Sequence, residues 1–479
     1  MLRRRDDSGN YGTPAGRKAA DVLLPVLSGQ PFPRFIHLNF LSPALNLLVR
    51  CYSDPRANPK WILARWLEEN RGGETSQVTR TFYGVLRKEI ALTHIIGRFT
   101  RKKNRAIAPR CLVLLKIAIY LLVYSDSFPD HAVVDRTVAL ADRPFKGFLN
   151  ATLRNVARQK LDLREELSRS ADMTIRHSIS PLLVENLGMI SRDVAGDLEY
   201  LDSEPLFHLR VNPQLINFTA ARQILVREKI EFSEIPDLET FQVKRIGALI
   251  RNHVKRGFFY LQNSGSQIVT AVAAAHAQQR IYDPFSAPGT KSVTLALLRP
   301  DVRLFSSDIH LGRLERMKDN IETLNLKGIS PFAADALSLP VRTNSADLVL
   351  IDAPCTSSGT IRKNPDLKFR ITGEMIAAKT AIQLAALKSL AAVFPRSRLL
   401  YAVCSFLHDE TESLLEKLAA DIPFRSIDLS PLLERYHVRF RTGRSGYYLL
   451  PSGLNNDLFY ISLFQPVPGF HPQTTRFSS

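Results

Sequence analysis

The C-terminal half of the chain alternates short apolar runs with amphipathic helical stretches, and this alternation limits the possible folds more than any other feature. The predicted strands are residues 302–306, 346–351, 398–403 and 459–464, and the predicted helices are residues 311–324, 374–393 and 410–420. Strands that alternate with helices form βαβ units and a mostly parallel sheet. Ligands of such sheets bind beyond the carboxyl ends of the strands. Residues 261–470 are therefore expected to form an α/β domain with its chemistry at those strand ends.

The residues before this domain predict three further segments. Residues 1–34 are rich in Gly, Pro, Arg and Asp without apolar periodicity, which predicts a disordered basic arm. Residues 35–165 are expected to form an all-helical domain, because apolar side chains recur there at the spacing of one buried helix face: Leu112, Leu115, Ile119, Leu122 and Val123. Residues 166–260 combine a predicted strand at 207–212 with a helical stretch at 220–225, which predicts a small α+β domain.

The charge balance favours a polyanionic partner. Lys and Arg total 64 against 46 acidic residues, a formal net charge of +18. Cations set against phosphates release condensed counterions, so this excess favours a nucleic acid, although charge that serves only solubility is the alternative. The longest apolar stretch, Cys111–Tyr124, is interrupted by Lys116 and is too short to cross a bilayer. The first seven residues lack the apolar core of a secretory signal. We expect a cytoplasmic monomer without membrane contact.

The chain has four cysteines, and their spacing does not predict a metal site. Cys51, Cys111, Cys355 and Cys404 include no Cys-x-x-Cys pair, which excludes the usual zinc spacing. In a cytoplasmic chain of this length we expect free thiols. A free cysteine is usually a small buried apolar residue, which suits Cys111 and Cys51.

Two features near the first strand ends predict a cofactor site. The segment after the predicted strand at 281–283 consists of Phe285, Ser286, Ala287, Pro288, Gly289, Thr290 and Lys291. Small residues and a glycine at that place allow backbone N–H groups to approach a ligand, although an ordinary tight turn would look the same. Asp308 and Asp335 follow the next two strands, where they are expected to meet a ribose and an adenine, or else to cap a helix and a turn. The G-x-G-x-x-G pattern is missing, which disfavours NAD.

Two cysteines follow two other predicted strands. Asp352-Ala353-Pro354-Cys355 ends the strand at 346–351, and Cys404 ends the strand at 398–403. Asp409 and Glu412 look like a capping pair that opens the following helix. Both cysteines are therefore expected to face one crevice, with two unrelated buried thiols as the alternative.

These segments resemble the RNA 5-methylcytidine methyltransferases of the RsmB/NOP2/NSUN family. The resemblance rests on residues 352–355 with 359–366, on 401–405, on 287–289 with Lys291, and on 262–267. Residues 83–87, 128–132 and 146–151 resemble the NusB-like RNA-binding domain. This pairing of domains is similar to the bacterial RsmB type, which acts on small-subunit ribosomal RNA, and the resemblance covers about residues 35–465.

The resemblance implies roles for the residues at the strand ends. Cys404 would be the nucleophile, Cys355 would assist product release and Asp352 would hydrogen-bond the cytosine. S-adenosylmethionine would be held by residues 285–291 with Asp308, Asp335 and Asp352, and no metal would be needed. The RNA-binding residues would be Arg101, Lys102, Lys103 and Arg105 in the NusB-like region, and Arg362 and Lys363, followed by Lys368 and Arg370, beside the cysteine motif.

Some positions depart from the family pattern, and they leave two other functions open. Thr290 stands at a usual glycine and Asn263 at a common aspartate, while Val403 and Leu458 replace a usual threonine and glycine. A non-catalytic RNA-binding assembly protein on the same scaffold is one alternative. A methyltransferase acting on an amino nitrogen or on a protein, which would need no thiolate, is the other.

Overall fold

The computed structural model describes residues 38–54, 57–70, 72, 74–100 and 107–467. The predicted arm at 1–34 and the basic residues Arg101, Lys102, Lys103 and Arg105 lie outside the described residues. The predictions made for these two segments stay predictions.

The N-terminal domain is all-helical, as the sequence predicts, and its helices surround one central helix. The helices are α1 (Leu41–Ser53), α2 (Pro59–Glu69), α3 (Thr75–Arg87), α4 (Glu89–Phe99), α5 (Pro109–Tyr124), α6 (Asp130–Ala139), α7 (Lys146–Arg158) and α8 (Lys160–Arg169). Helix α5 packs against α1, α3, α4, α6, α7 and α8. Its side chains from Val113 to Ile119 are all buried, so burial extends beyond the one face that the apolar spacing indicates. A helix surrounded by six others buries every side, because it is the core of its domain.

A four-stranded antiparallel sheet with flanking helices follows, which confirms the predicted α+β element. After α9 (Met173–Arg176), α10 (Pro181–Ile190) and α11 (Val194–Asp202) come β1 (Phe207–Val211), α12 (Phe218–Arg227), β2 (Ser233–Ile235), β3 (Thr240–Val243), α13 (Ala248–Lys255) and β4 (Phe259–Leu261). The strand order is β2-β3-β1-β4. Phe241 lies at the centre of this small core, stacked on Phe218 with ring centroids 4.5 Å apart.

The C-terminal domain has a nine-stranded mixed sheet with helices on both faces. Its strands are β5 (Arg280–Asp283), β6 (Arg303–Asp308), β7 (Ile329–Ala333), β8 (Leu348–Asp352), β9 (Arg398–Val403), β10 (Phe424–Ser426), β11 (Phe440–Thr442), β12 (Tyr447–Leu449) and β13 (Phe459–Pro466). The helices are α14 (Ser264–His276), α15 (Thr290–Leu298), α16 (Leu311–Thr323), α17 (Leu367–Arg370), α18 (Gly373–Val393), α19 (Glu412–Asp421) and α20 (Ser430–Arg435). The order is β11-β12-β13-β9-β8-β5-β6-β7, with β10 on β13. The five neighbouring strands β9, β8, β5, β6 and β7 pair in parallel, and β10, β11, β12 and β13 pair antiparallel with their neighbours.

The central strands are buried on both faces, which explains their unbroken apolar sequence. In β8, Val349 and Ile351 pack with Leu387 of α18, whereas Leu348 and Leu350 pack in a second core. The second core includes residues of α14 on the other face of the sheet. The two helical layers therefore hold the carboxyl ends of β5, β8 and β9 at fixed positions.

Among the described residues, one helix is long and apolar enough to cross a membrane by length and composition. This helix is α18, and its buried residues include Ala386, Leu387 and Leu390. Leu387 and Leu390 belong to the apolar core against the sheet. Of the most apolar stretch of this helix 33% is buried, and Ile382 is 40% exposed, so packing against the sheet accounts for one face of α18.

Buried polar contacts join the helical domain to the segment that contains α17. Asp202, the last residue of α11, forms ion pairs with Lys88 of the helical domain and with Lys368 of α17. Lys368 is 1% exposed, so its charge depends on this carboxylate. Arg370 donates hydrogen bonds to the carbonyl oxygens of Cys51 and Ala57. The helical domain and α17 therefore share one polar interface.

Candidate active site

The order of the parallel strands reverses between β5 and β8. Strands β6 and β7 lie on one side of β5, whereas β8 and β9 lie on its other side. Open α/β sheets bind ligands at this kind of position, outside the carboxyl ends of the strands. Asp283 ends β5, Asp352 ends β8, and Cys404 directly follows β9. The candidate site is therefore built on three neighbouring strand ends.

The two cysteines predicted to share a crevice lie in contact. The Sγ atoms of Cys355 and Cys404 are 3.4 Å apart, and both cysteines are free thiols. The Ser357 Oγ lies 3.5 Å from the Cys404 Sγ and 4.0 Å from the Cys355 Sγ. Parallel pairing of β8 with β9 aligns Asp352 with Ala402, which brings the two loops that carry the sulfurs together.

The two thiols differ in acidity. The pKa of Cys404 is lowered, first by the hydrogen bond from the Cys355 thiol and then by Ser357 and Lys291, against burial and the charge of Asp352. The pKa of Cys355 is raised well above its usual value because its proton is shared with Cys404 and because it is buried. A thiolate, and not a thiol, is the nucleophilic form of cysteine. Cys404 is therefore the sulfur prepared to attack, with Cys355 as the protonated partner.

Lys291 holds the carboxylate that ends β8. Its Nζ lies 2.5 Å from Oδ2 of Asp352, and its side chain is 9% exposed. Burial alone would lower the pKa of Lys291, but the attraction of Asp352 raises it overall. The lysine is thus a buried cation that fixes Asp352 and lies close enough to Cys404 to favour its thiolate.

Glu410 connects the loops of both cysteines, and the sequence reasoning missed it. Its buried carboxylate accepts hydrogen bonds from the Thr356 N–H at 2.8 Å and the Thr356 hydroxyl at 2.5 Å. It also accepts from the Ser405 hydroxyl at 2.5 Å and from the Gln383 amide at 3.1 Å. Thr356 follows Cys355 and Ser405 follows Cys404, so a single carboxylate fixes both cysteine loops.

Gly359 permits a close backbone contact beside Cys404. Its N–H donates to the Cys404 carbonyl oxygen at 3.0 Å, and its own carbonyl accepts from Leu458 at 3.1 Å. A Cβ at this position would lie 2.0 Å from the Leu458 carbonyl oxygen. Only glycine fits between these two backbone segments.

Asp283 is a buried acid near these groups. It is 1% exposed, and its Oδ2 accepts a hydrogen bond from the Ser292 hydroxyl at 2.7 Å. Burial raises the pKa of Asp283 to about 7, and the nearby charge of Asp352 adds to the increase. Asp283 is therefore partly protonated near neutral pH.

This raised pKa predicts a pH dependence of stability. Because the pKa of Asp283 is about 7 in the folded protein against 3.8 when unperturbed, the folded chain binds more protons between these pH values. The associated stability is complete below about pH 4 and is lost as the pH rises through about 7. The unfolding free energy of the protein, relative to Asp283→Asn, should therefore fall by up to roughly 4 kcal/mol over that interval. Urea unfolding of both proteins at several pH values between about 4 and 7 measures this difference. An unfolding free energy that depends on pH equally in both proteins would contradict the raised pKa of Asp283.

The predicted cofactor residues line the same edge of the sheet. Residues 285–291 join β5 to α15, Asp308 ends β6, and Asp335 follows β7. Asp308 is 5% exposed, and its Oδ1 accepts from the His310 N–H at 2.9 Å. Asp335 accepts from the Leu337 N–H at 2.9 Å in a turn. The turn contact foreseen for Asp335 is present, but the helix cap foreseen for Asp308 is wrong, because the N-cap of α16 is His310 and it has no side-chain cap. The second carboxylate oxygen of Asp308 lies 3.9 Å from the Arg313 guanidinium.

The chemistry of this edge fits an adenosine. Ile309 beside Asp308 is 61% exposed and Leu337 beside Asp335 is 46% exposed, so apolar surface adjoins both carboxylates. Carboxylate oxygens can accept ribose hydroxyls, and apolar side chains can cover an adenine. Gly289 has φ +98°, and a Cβ there would lie 2.6 Å from Met317 Cγ, so this loop position requires glycine. Thr290 is exposed as the first residue of α15.

The basic residues after the cysteine motif are used inside the protein. Arg362 is 4% exposed, donates to the Glu204 carbonyl at 2.8 Å and lies 4.0 Å over the Tyr200 ring. Its burial does not fit the expected phosphate contact, nor does that of Lys368. The Lys363 Nζ is 2.6 Å from an Asp457 oxygen, with its side chain 33% exposed. Of Arg362 and Lys363, the two residues expected to contact RNA here, Lys363 alone is partly exposed to solvent.

The predicted capping pair is wrong. Helix α19 begins at Glu412 without a side-chain cap, and Asp409 is exposed in a short 3₁₀ helix, His408–Glu410. The Glu412 carboxylate instead accepts from the backbone N–H groups of Arg444 and Ser445. Asn263 does cap a helix, since its Oδ1 accepts from Gly265 N at the start of α14.

Sequence comparison divides the chain into two matched regions. Residues 270–465 match the family described as 16S rRNA methyltransferase RsmB/F, and residues 56–158 match the NusB family. Among the described residues, no group of three or more His, Cys, Asp or Glu side chains could hold a metal ion.

Curated relatives align with most of the chain. The ribosomal RNA small subunit methyltransferase B of Pasteurella multocida is 27% identical over 397 residues, 80% of this chain and 85% of that protein. A probable enzyme of the same name from Bacillus subtilis is 26% identical, over 82% of this chain and 90% of that protein. The crystal structure of PH0851 has a TM-score of 0.69 at 20% identity, covers 89% of this chain and 98% of its own, and shares the fold. Residues 270–465 are thus similar to the 16S rRNA methyltransferases of the RsmB/F family, and residues 56–158 are similar to the NusB family.

Proposed function

We propose that this protein methylates carbon 5 of a cytidine in small-subunit ribosomal RNA, with S-adenosylmethionine as methyl donor and a covalent Cys404–cytosine adduct. One observation carries the proposal: two free thiols 3.4 Å apart at neighbouring strand ends, of which Cys404 is the more acidic. Methyl transfer to an amino group requires no thiol, so this pair favours attack on a pyrimidine carbon.

The residues at the strand ends have separate roles in this reaction. The Cys404 thiolate forms a bond to carbon 6 of cytosine, and the electrons of the 5,6 double bond make carbon 5 nucleophilic. Asp352, held by Lys291, would hydrogen-bond the ring as it gains charge. After methylation, the proton on carbon 5 passes to solvent, the electrons of that C–H bond restore the 5,6 double bond, and Cys404 leaves carbon 6 as a thiolate. Cys355 is positioned to assist this release because its sulfur contacts that of Cys404.

Bound S-adenosylmethionine would supply the methyl group as an electrophile. Residues 285–291 would surround its methionine end, whereas Asp308 and Asp335 would hold the ribose and the adenine. These positions border the strand ends that carry the sulfurs, so the methyl group and the nucleophile can reach one base.

The substrate assignment rests on family and charge. Two relatives that align with this chain over more than four-fifths of their own length bear the name ribosomal RNA small subunit methyltransferase B, in one case as a probable assignment. A net charge of +18 suits a polyanionic substrate. A cytidine in a duplex must leave the stack before a sulfur reaches carbon 6, so the target is expected in a loop or in partly unfolded RNA.

A labelling experiment tests the function. Full-length protein is incubated with methyl-labelled S-adenosylmethionine and unmodified small-subunit ribosomal RNA, and the nucleosides are separated. Label in 5-methylcytidine is expected, and bisulfite mapping then locates the base. Label in an amino-methylated nucleoside or in protein would reject the carbon 5 assignment. RNA binding without cofactor binding by calorimetry would instead favour an assembly protein.

The second cysteine gives a separate prediction. Cys355→Ala is expected to accumulate a covalent protein–RNA complex, because the adduct forms on Cys404 but its release is slowed. Denaturing gel electrophoresis detects the complex as a band that requires cofactor and that ribonuclease removes. Cys111→Ala, a buried cysteine of the helical domain, serves as the control and should form no stable complex. Loss of activity without a complex would contradict the role of Cys355 in release.

A further inference from the structure

Ser357 has a backbone conformation that serine seldom adopts. Its φ is +62° and its ψ is +26°, in the left-handed region, where the Cβ of a non-glycine residue is crowded. Hydrogen bonds from the Thr360 N–H at 2.9 Å and from its hydroxyl at 2.8 Å to the Ser357 carbonyl hold the turn. Side chains kept in sparsely populated backbone conformations are concentrated at active sites.

The conformation directs the Ser357 hydroxyl at both sulfurs. The protonated Cys404 thiol donates to the Ser357 Oγ at 3.5 Å, and the same Oγ lies 4.0 Å from the Cys355 Sγ. Ionisation of Cys404 removes that proton and makes its sulfur an acceptor for the Ser357 hydroxyl. Neighbouring hydroxyls have other partners: Thr356 binds Glu410, and Ser358 binds Ser405 at 2.9 Å. Within the described residues, the two sulfurs are the hydrogen-bond partners of the Ser357 side chain.

The electrostatics around Cys404 explain why a second donor matters. Burial and the Asp352 carboxylate both oppose a thiolate at this position. The Cys355 thiol donates one hydrogen bond, and Lys291 supplies a positive charge that it shares with Asp352. A hydroxyl donor adds stabilisation without another charge.

We propose that Ser357 is a catalytic residue whose hydroxyl donates a hydrogen bond to the Cys404 thiolate. Its catalytic consequence rests on the proposed function, because that function makes Cys404 the nucleophile. The same hydroxyl lies near Cys355, so it can remain with the sulfur pair after Cys404 bonds to the base.

Two substitutions separate the hydroxyl from the backbone. Ser357→Gly removes the hydroxyl and suits a positive φ, so the variant is expected to fold. Ser357→Ala removes the hydroxyl and keeps the Cβ. Asn325→Gly is the matched control, since Asn325 is exposed, has φ +51° and precedes β7, at the sheet end opposite the sulfurs.

The test measures the alkylation of Cys404 by iodoacetamide in the full chain, across about pH 5 to 10 and followed by mass spectrometry of its peptide. Both Ser357 variants should raise the pH midpoint by about one unit, with about tenfold slower alkylation near neutral pH. The pH profile of methylation should shift by the same amount, and Asn325→Gly should leave the midpoint unchanged.

An unchanged midpoint in both Ser357 variants would overturn the proposal, as would a shift in Ser357→Gly alone. A shift in both variants from a protein that transfers no methyl group would support the hydrogen bond while rejecting the proposed function. The alkylation assay needs neither RNA nor cofactor, so failure of the Ser357 hydrogen bond can be told apart from failure of the proposed methylation.

Discussion

Methyl transfer to RNA by the Cys404→Ala variant is expected to fall by at least about 1,000-fold, because the nucleophile is lost. Carbon 5 of cytosine reacts only after a sulfur has bonded to carbon 6, and Cys355 retains a firmly held proton. Cofactor binding should persist, since Asp308 and residues 285–291 are unchanged. Single-turnover methylation and calorimetry measure the two quantities.

A matched substitution controls for the loss of a buried thiol. Cys111→Ala removes a buried cysteine of α5 and should retain methylation close to that of the unmodified protein. Turnover by Cys404→Ala equal to that of Cys111→Ala would exclude a covalent mechanism. It would favour transfer to an amino nitrogen or to a protein.

The second large effect is expected at Glu410. Glu410→Ala removes the acceptor of four hydrogen bonds, so buried donors of Thr356, Ser405 and Gln383 lose this partner. Each buried neutral donor that loses its acceptor costs about 1–3 kcal/mol, so the unfolding free energy should fall by about 3–5 kcal/mol. Methylation should also fall, because the same carboxylate fixes the loops of Cys355 and Cys404.

Asp409→Ala is the control for Glu410, since Asp409 is exposed on the same 3₁₀ helix. Its unfolding free energy should stay within about 0.5 kcal/mol of the parent. Urea unfolding compares the variants, and equal stability of Glu410→Ala and Asp409→Ala would show that the network is not needed.

The long elements of the fold could be predicted from the sequence because they carry strong local patterns. Strand β9 matches its predicted range, and β8 differs from its prediction by two residues at its start and one at its end. The three-residue strands β10, β11 and β12 were missed, because so few residues show no periodicity and their pairing with β13 is decided by tertiary contacts.

The site was predictable where strand ends define it and not where distant residues complete it. Asp352, Cys355 and Cys404 each follow a recognisable strand, and adjacent parallel strands bring them together. The Ser357 conformation has no such signal, because serine is not a residue type that predicts a positive φ. Gln383 and Glu410 meet across 27 residues, which no local pattern reveals. The prediction that Arg362 contacts RNA does not fit its burial, because Arg362 packs on the Tyr200 ring and donates to the Glu204 carbonyl.

The polar interface at Asp202 affects how the two regions can be studied separately. A fragment without the helical domain would expose the Arg370 guanidinium and leave Lys368 as the remaining ion-pair partner of Asp202, although none of these groups contacts the sulfurs. Weak activity in such a fragment would therefore include the effect of these lost polar contacts. Point substitutions on exposed surfaces, rather than truncation, are therefore the cleaner way to test the RNA contact that is expected of the helical region.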